Sequence, residues 1–253
     1  PPAGRSIRGV SPCDDRKLFP SFPLCKSEND FMRALITTLV LLVSGVLPSA
    51  AQAGAYEDME AAMIARDSVT VIHLLDRGMD VNTVSRTGDT LLIQAIRSDM
   101  PELVDVLLQR RARLNFRNRN GETALSIAAY IGKMAYVQRI VESGAEVNFY
   151  GWPPLSYAAF NNHLEIAEYL IKKGAEINGK TETGATALYL AARNGHRDVV
   201  KLLLHHQADP AIANQNGETA VDAAMKGNHS DILDLLRAAG GRSGQSMTLD
   251  VSK

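Results

Sequence analysis

Gly184-Ala-Thr-Ala-Leu-Tyr-Leu-Ala191 is the stretch that decides the fold, because the chain repeats its pattern four more times. The other copies are Gly88-Asp-Thr-Leu-Leu-Ile-Gln-Ala95, Gly121-Glu-Thr-Ala-Leu-Ser-Ile-Ala128, Gly151-Trp-Pro-Pro-Leu-Ser-Tyr-Ala158 and Gly217-Glu-Thr-Ala-Val-Asp-Ala-Ala224. The motif leucine or valine falls at Leu92, Leu125, Leu155, Leu188 and Val221, spacings of 33, 30, 33 and 33 residues. A fixed period of this size predicts a repeat solenoid, each repeat one supersecondary unit. Such chains are built for contact surfaces and rarely for catalysis.

Working outward, a second apolar run follows each motif. Val71-Ile-His-Leu-Leu-Asp-Arg-Gly78 returns as Val104-Asp-Val-Leu-Leu, Val137-Gln-Arg-Ile-Val-Glu-Ser-Gly144, Ile166-Ala-Glu-Tyr-Leu-Ile-Lys-Lys-Gly174 and Val199-Val-Lys-Leu-Leu-Leu-His-His-Gln207, with a partial copy, Ile232-Leu-Asp-Leu-Leu-Arg-Ala-Ala-Gly240. These leucines have helical spacing. One helix pair cannot bury its apolar face alone, whereas stacked pairs make a continuous core. Ala95, Ala128, Ala158, Ala191 and Ala224 are expected where first helices approach closely. Gly78, Gly144, Gly174 and Gly240 are expected to end the second helices in the left-handed region, which glycine enters without a Cβ clash. Arg111 and Gln207 hold that place in two units, at a cost of ~1 kcal/mol each.

Together the two runs strongly resemble the ankyrin repeat, whose pattern joins a Gly-x-Thr-Pro-Leu-His-x-Ala helix, a Gly-His turn, a Val-Val-x-Leu-Leu-Leu helix and a Gly-Ala-Asp-x-Asn loop. The resemblance spans roughly Gly54 to Gly240. No copy keeps the full Thr-Pro-Leu-His tetrad; its histidine slot holds Ile93, Ser126, Ser156, Tyr189 and Asp222. The fold implied is all-α: an ankyrin repeat solenoid of about six helix-turn-helix units with short hairpin-like loops. In this family the turn histidine is structural, and His163, His196 and His229 are read so.

The ends carry different signals. Met32 to Ala53 has a basic start, an uncharged apolar run from Ala34 to Leu47 and an Ala51-Gln-Ala53 ending, the anatomy of a cleavable signal peptide. The run is short of the ~20 residues a membrane span usually needs. Residues 1–31, rich in Pro and Ser and without period, are expected to be upstream or non-native leader, disordered, or else a piece of a longer precursor. The repeat domain is then 54–240, and 241–253 a disordered polar tail. Cys13 and Cys25, the two cysteines, lie in the leader, so the exported product has no thiol chemistry. Removal of residues 1–53 leaves 21 of the 27 basic and 24 of the 28 acidic residues, a net charge near −3. No basic balance points to nucleic acid.

Catalytic signatures are missing from 54–253: no Gly-x-Ser-x-Gly elbow, no His-Glu-x-x-His, no phosphate-cradling glycine loop. His205-His206 is a poor chelate, since neighbours on a helix point roughly 100° apart. No enzyme, cofactor or metal is expected. The resemblance implies that a partner protein binds the concave face, lined by loop tips and first-helix ends. Two residues past each motif alanine stand Arg97, Tyr130, Phe160, Arg193 and Lys226, and the loop that is three residues short adds Phe149, Tyr150 and Trp152, the sole tryptophan. Aromatic and arginine side chains dominate binding hot spots. The candidate protein-binding residues are therefore Tyr130, Phe160, Trp152, Tyr150, Phe149, Arg97 and Arg193, with packing between loops as the alternative for Phe149 and Trp152. A second cluster, Arg110, Arg111, Arg113, Arg117 and Arg119, is either a seat for an acidic partner or a solvated loop. The expectation is a non-enzymatic interaction scaffold, exported to the bacterial periplasm or secreted, monomeric alone and not membrane-inserted after signal cleavage. Its partner would be a secreted enzyme or toxin that it masks as an accessory or immunity protein. The alternatives are support of a periplasmic oxidative-stress enzyme such as catalase, or an effector acting in a host cell.

Overall fold

A computed structural model describes residues 50–244. The expected leader, most of the expected signal peptide and residues 245–253 lie outside the described residues. Contacts divide the chain between Gly54 and Ala55, and the unit beginning at Ala55 is the one described below.

Twelve helices form six pairs among the described residues: α1 (Ala50–Ile64) with α2 (Ser68–Asp76), α3 (Leu91–Arg97) with α4 (Pro101–Gln109), α5 (Ala124–Ile131) with α6 (Met134–Glu142), α7 (Pro154–Phe160) with α8 (Leu164–Lys172), α9 (Ala187–Arg193) with α10 (Arg197–His205), and α11 (Ala220–Lys226) with α12 (Ser230–Ala238). The motif threonine explains where first helices start. Thr90, Thr123 and Thr186 are N-caps whose hydroxyls accept from the amides of Ile93 (3.3 Å), Ser126 (3.2 Å) and Tyr189 (3.2 Å). In α7 proline replaces this device: Pro153 is the N-cap and Pro154 follows at N1, where its missing N–H costs nothing.

Each second helix ends in the same two bonds. In the first unit the amide of Met79 donates to Leu74 O and that of Gly78 to Leu75 O, the Schellman pattern, and the pair recurs in all six units. Arg111 and Gln207 adopt φ of 58° and 63°, the left-handed geometry expected of them. A second left-handed position stands between the paired helices and was not foreseen: Arg66, Asp99, Gly132, Asn162, Gly195 and Asn228, with φ between 53° and 79°.

The motif alanines are wholly buried at 0% exposure, as are Leu103, Val137, Leu170, Val199 and Ile232 of the second helices. From α3 onward, first helices of successive units pack on one another more extensively than second helices do. Small side chains permit that approach, and the first helices of successive units form one continuous row, the inner row. The loops between units are hairpin-like, with isolated antiparallel bridges Val84–Thr90 and Lys180–Thr186.

One end differs from expectation. The tail does not become free at Gly241: this glycine is buried, and a Cβ on it would stand 2.8 Å from Leu236 O. Asp222 accepts from the amides of Gly244 and Thr219, both at 2.8 Å, and from the Ser243 hydroxyl. Thr219 Oγ1 donates to Arg242 O at 2.8 Å. A buried carboxylate thus ties residues 241–244 to the last unit.

Candidate interaction face

The turn histidines lace neighbouring units. Nε2–H of His163, His196 and His229 donates to the carbonyls of Tyr130 (3.0 Å), Phe160 (2.9 Å) and Arg193 (3.2 Å), each at the end of the preceding first helix. Asn161 and Asn194 reinforce the first two of these from their side-chain amides. The loop asparagines act likewise on the other side. Oδ1 of Asn82, Asn115, Asn148 and Asn178 accepts from the amides of Arg113, Glu146, Glu176 and Asp209 at 2.8–3.0 Å. Both ladders hold the inner row at fixed spacing.

On that row the structure brings Tyr130, Trp152 and Phe160 together through a fourth ring, Tyr157. The Tyr130 and Tyr157 centroids are 5.7 Å apart at 84°, Trp152 and Tyr157 5.1 Å apart at 36°, and Trp152 and Phe160 6.1 Å apart at 85°. Edge-to-face and offset contacts of this kind are favourable beyond the area they bury. Tyr130 is 45% exposed, while Trp152, Tyr157 and Phe160 are half-buried against the core. Burial, with Glu122 and Glu182 nearby and Arg97 opposing them, pushes the Tyr157 hydroxyl up to about 12. It donates to no side chain or carbonyl among the described residues.

Tyr157 was missed in the sequence, although a signal existed. It lies three residues before Phe160 on one helix face, and Trp152 occupies the slot that holds Asp89, Glu122 and Glu218 in other units. Tyr150 is 75% exposed at the tip of the short loop and makes no ring contact with the cluster among the described residues. Phe149 is half-buried with the Arg117 guanidinium 4.9 Å from its ring centre. Arg97 is engaged by Asp89 at 3.3 Å and Glu122 at 2.5 Å. Arg193 has no ion-pair partner among the described residues and is exposed. Lys226 pairs with Glu218, whose carboxyl is held at about 2 by Lys226, Tyr189 and Asn214.

The arginine cluster is dispersed. Arg110 pairs with Asp76, Arg117 covers Phe149, and the Arg119 stem lies so close over Gly88 that a Cβ there would stand 2.6 Å from its Cγ. The rings of His205 and His206 stand edge-to-face at 5.3 Å.

The family model described as "Ankyrin repeats (3 copies)" matches residues 99–181 and 178–245, more than half of the chain. Among proteins of known name, the chain is 35% identical over 118 residues to ankyrin repeat and SAM domain-containing protein 6 of Rattus norvegicus, covering 45% of this chain and 12% of that protein. It is 31% identical over 115 residues to an ankyrin repeat protein of Rickettsia bellii, 41% of this chain and 32% of that one. The B-cell lymphoma 3 protein homolog of Mus musculus is 29% identical over 124 residues, 46% of this chain and 28% of that protein. The chain therefore spans about a third or less of the length of each. Helix pairs, caps, turn histidines and matched residues agree: this chain belongs to the ankyrin repeat family.

Proposed function

We propose that the chain is a non-enzymatic scaffold, exported from a bacterial cell, that captures one partner protein on its inner face. The ankyrin repeat is a protein–protein interaction module, and the observation that supports this location is the four-ring cluster of Tyr130, Tyr157, Trp152 and Phe160. Export rests on the signal anatomy of Met32 to Ala53 and on the absence of cysteine after it. The partner is a secreted enzyme or toxin that this chain masks in the manner of an accessory or immunity protein.

The exposed rings test the face. Tyr130→Ala combined with Tyr150→Ala removes contact area without opening the core. Capture of the partner from a periplasmic extract should fall at least about thirtyfold, the effect of losing a central anchor of ~2 kcal/mol. The melting midpoint should stay near wild type. Lys172→Ala with Lys201→Ala, on the second helices, should change neither. Undiminished capture by the folded tyrosine double variant would place the site elsewhere. Phe160→Ala is unsuited to this test, because its ring packs on the core.

A further inference from the structure

The cations at the ends of the inner-row helices are neutralised except at one place, and that exception bears on the partner's chemistry, provided the inner face is the binding face. The second residue of the Gly-x-Thr motif is acidic in three units, as Asp89, Glu122 and Glu218. These carboxylates neutralise the cations at first-helix ends: Asp89 and Glu122 hold Arg97, and Glu218 holds Lys226. In the fifth unit the same slot is Ala185. Its helix-end cation, Arg193, is consequently left exposed, with no carboxylate within ion-pair distance among the described residues. Glu218, which holds the motif's acidic slot in the next unit, is committed to Lys226, Tyr189 and Asn214. Glu182 sits beside Gly151, with Oε1 3.6 Å from where a Cβ there would stand.

Arg193 is the neighbour of the ring cluster. It occupies in α9 the place that Phe160 occupies in α7, and Asn194 and His196 both donate to Phe160 O, at 2.8 and 2.9 Å. That pair of hydrogen bonds from one unit to the next fixes the two positions relative to each other. Packed helices lie about 8–10 Å apart, and an extended chain advances roughly 3.3 Å per residue. A segment crossing the inner row therefore travels about three residues between ring cluster and guanidinium.

We propose that the partner offers an extended segment with an aromatic or aliphatic side chain against Tyr130, Tyr157 and Phe160, and an Asp or Glu about three residues away that pairs with Arg193. The planar guanidinium suits a carboxylate bidentately, and the adjoining rings shelter the pair from water on one side. The match of an apolar anchor with one carboxylate at fixed spacing provides both adhesion and register.

Random peptides displayed on phage are selected on the immobilised full chain, and the enriched peptides are synthesised and titrated against wild type and variants. Peptides that lose binding to the Tyr130→Ala, Tyr150→Ala variant are expected to carry Asp or Glu about three positions from an aromatic or aliphatic residue. Their affinity should fall about tenfold for Arg193→Glu, less for Arg193→Gln, and return when the peptide's acid is replaced by Lys against Arg193→Glu. Arg193 is exposed, so both variants should keep the wild-type melting midpoint. Ring-dependent peptides that lack the acid, or that bind Arg193→Glu as well as wild type, overturn the proposal while leaving the interaction face standing. If no enriched peptide depends on the rings, the face itself is wrong and the proposal falls with it.

Discussion

At the scale of single residues, left-handed backbone is the feature with the clearest energetic consequence. Arg111 and Gln207 hold φ of 58° and 63° at helix ends where four sister units use glycine, and Gly78, Gly144, Gly174 and Gly240 hold φ of 87–97°. A Cβ in this region crowds the following carbonyl, which glycine avoids. Neither residue's side chain makes a hydrogen bond or ion pair among the described residues that would offset the strain. Arg111→Gly and Gln207→Gly should each stabilise by about 0.5–1 kcal/mol, after allowing for glycine's greater freedom when unfolded. Gly144→Val and Gly174→Val should destabilise by about 2 kcal/mol each. The space around both glycines is open, so backbone conformation alone sets that cost. Urea melts of the four variants measure all of this. A lower midpoint for Arg111→Gly would mean that the arginine side chain contributes more than its strain costs.

At the scale of elements, α11 and the segment after α12 behave as one closure. Asp222 sits at the third position of α11, in the family's histidine slot, and binds Thr219, Ser243 and Gly244. Burial pushes its carboxyl up, but hydrogen bonds from Ser243, Thr219 and Gly244 outweigh burial and hold it below the ordinary 3.8. A group bound more tightly when ionised contributes its stabilisation above the unfolded value and loses it as pH falls through the lower folded value. Wild type should therefore hold residues 241–244 in place at neutral pH and release them only in strong acid. Asp222→Asn should release them already at pH 7 and lower stability by about 1 kcal/mol through loss of the capping interaction. The gap between the two proteins should close as pH drops below the carboxyl's folded value. Hydrogen exchange of the Gly244 amide against pH follows the release, and a gap that is unchanged in acid would show that ionised Asp222 is not the tie.

At the scale of the whole molecule, neighbouring units are tied by asparagine bonds from the first to the fifth and by histidine bonds from the third to the sixth, so stability is close to a nearest-neighbour sum. The first unit, α1 and α2, has one neighbour among the described residues, and Ile64 and Val69 there are 85% and 74% exposed. The same end bears on export. If Met32 to Ala53 is a cleaved signal, the product from a periplasmic fraction begins at Gly54, one residue before the compact unit starts at Ala55. N-terminal sequencing of that product decides it. A product that retains residues 1–31, or one found only in the cytosol, would end the export reading.

The sequence by itself determined the architecture. A period of about 33 residues, buried alanines and helix-ending glycines are local or strictly repeated signals: the glycines answer sterics within one unit, and the alanines recur because every unit meets its neighbour in the same way. Even the two exceptions, Arg111 and Gln207, were legible as left-handed because the period assigns them the glycine's place. What only the tertiary structure decided lies between units. Tyr157 joins Tyr130 to Trp152 across a repeat boundary, Arg97 is neutralised partly by Glu122 of the next unit, and Arg193 stays unpaired because Ala185 stands where an acid otherwise would. Likewise Asp222 reaches residues 21 and 22 positions further on and turns part of an expected free tail into structure. Period and composition assign each residue a slot; whether its charge or ring is already satisfied depends on side chains that the stacking of the next unit brings within a few ångströms.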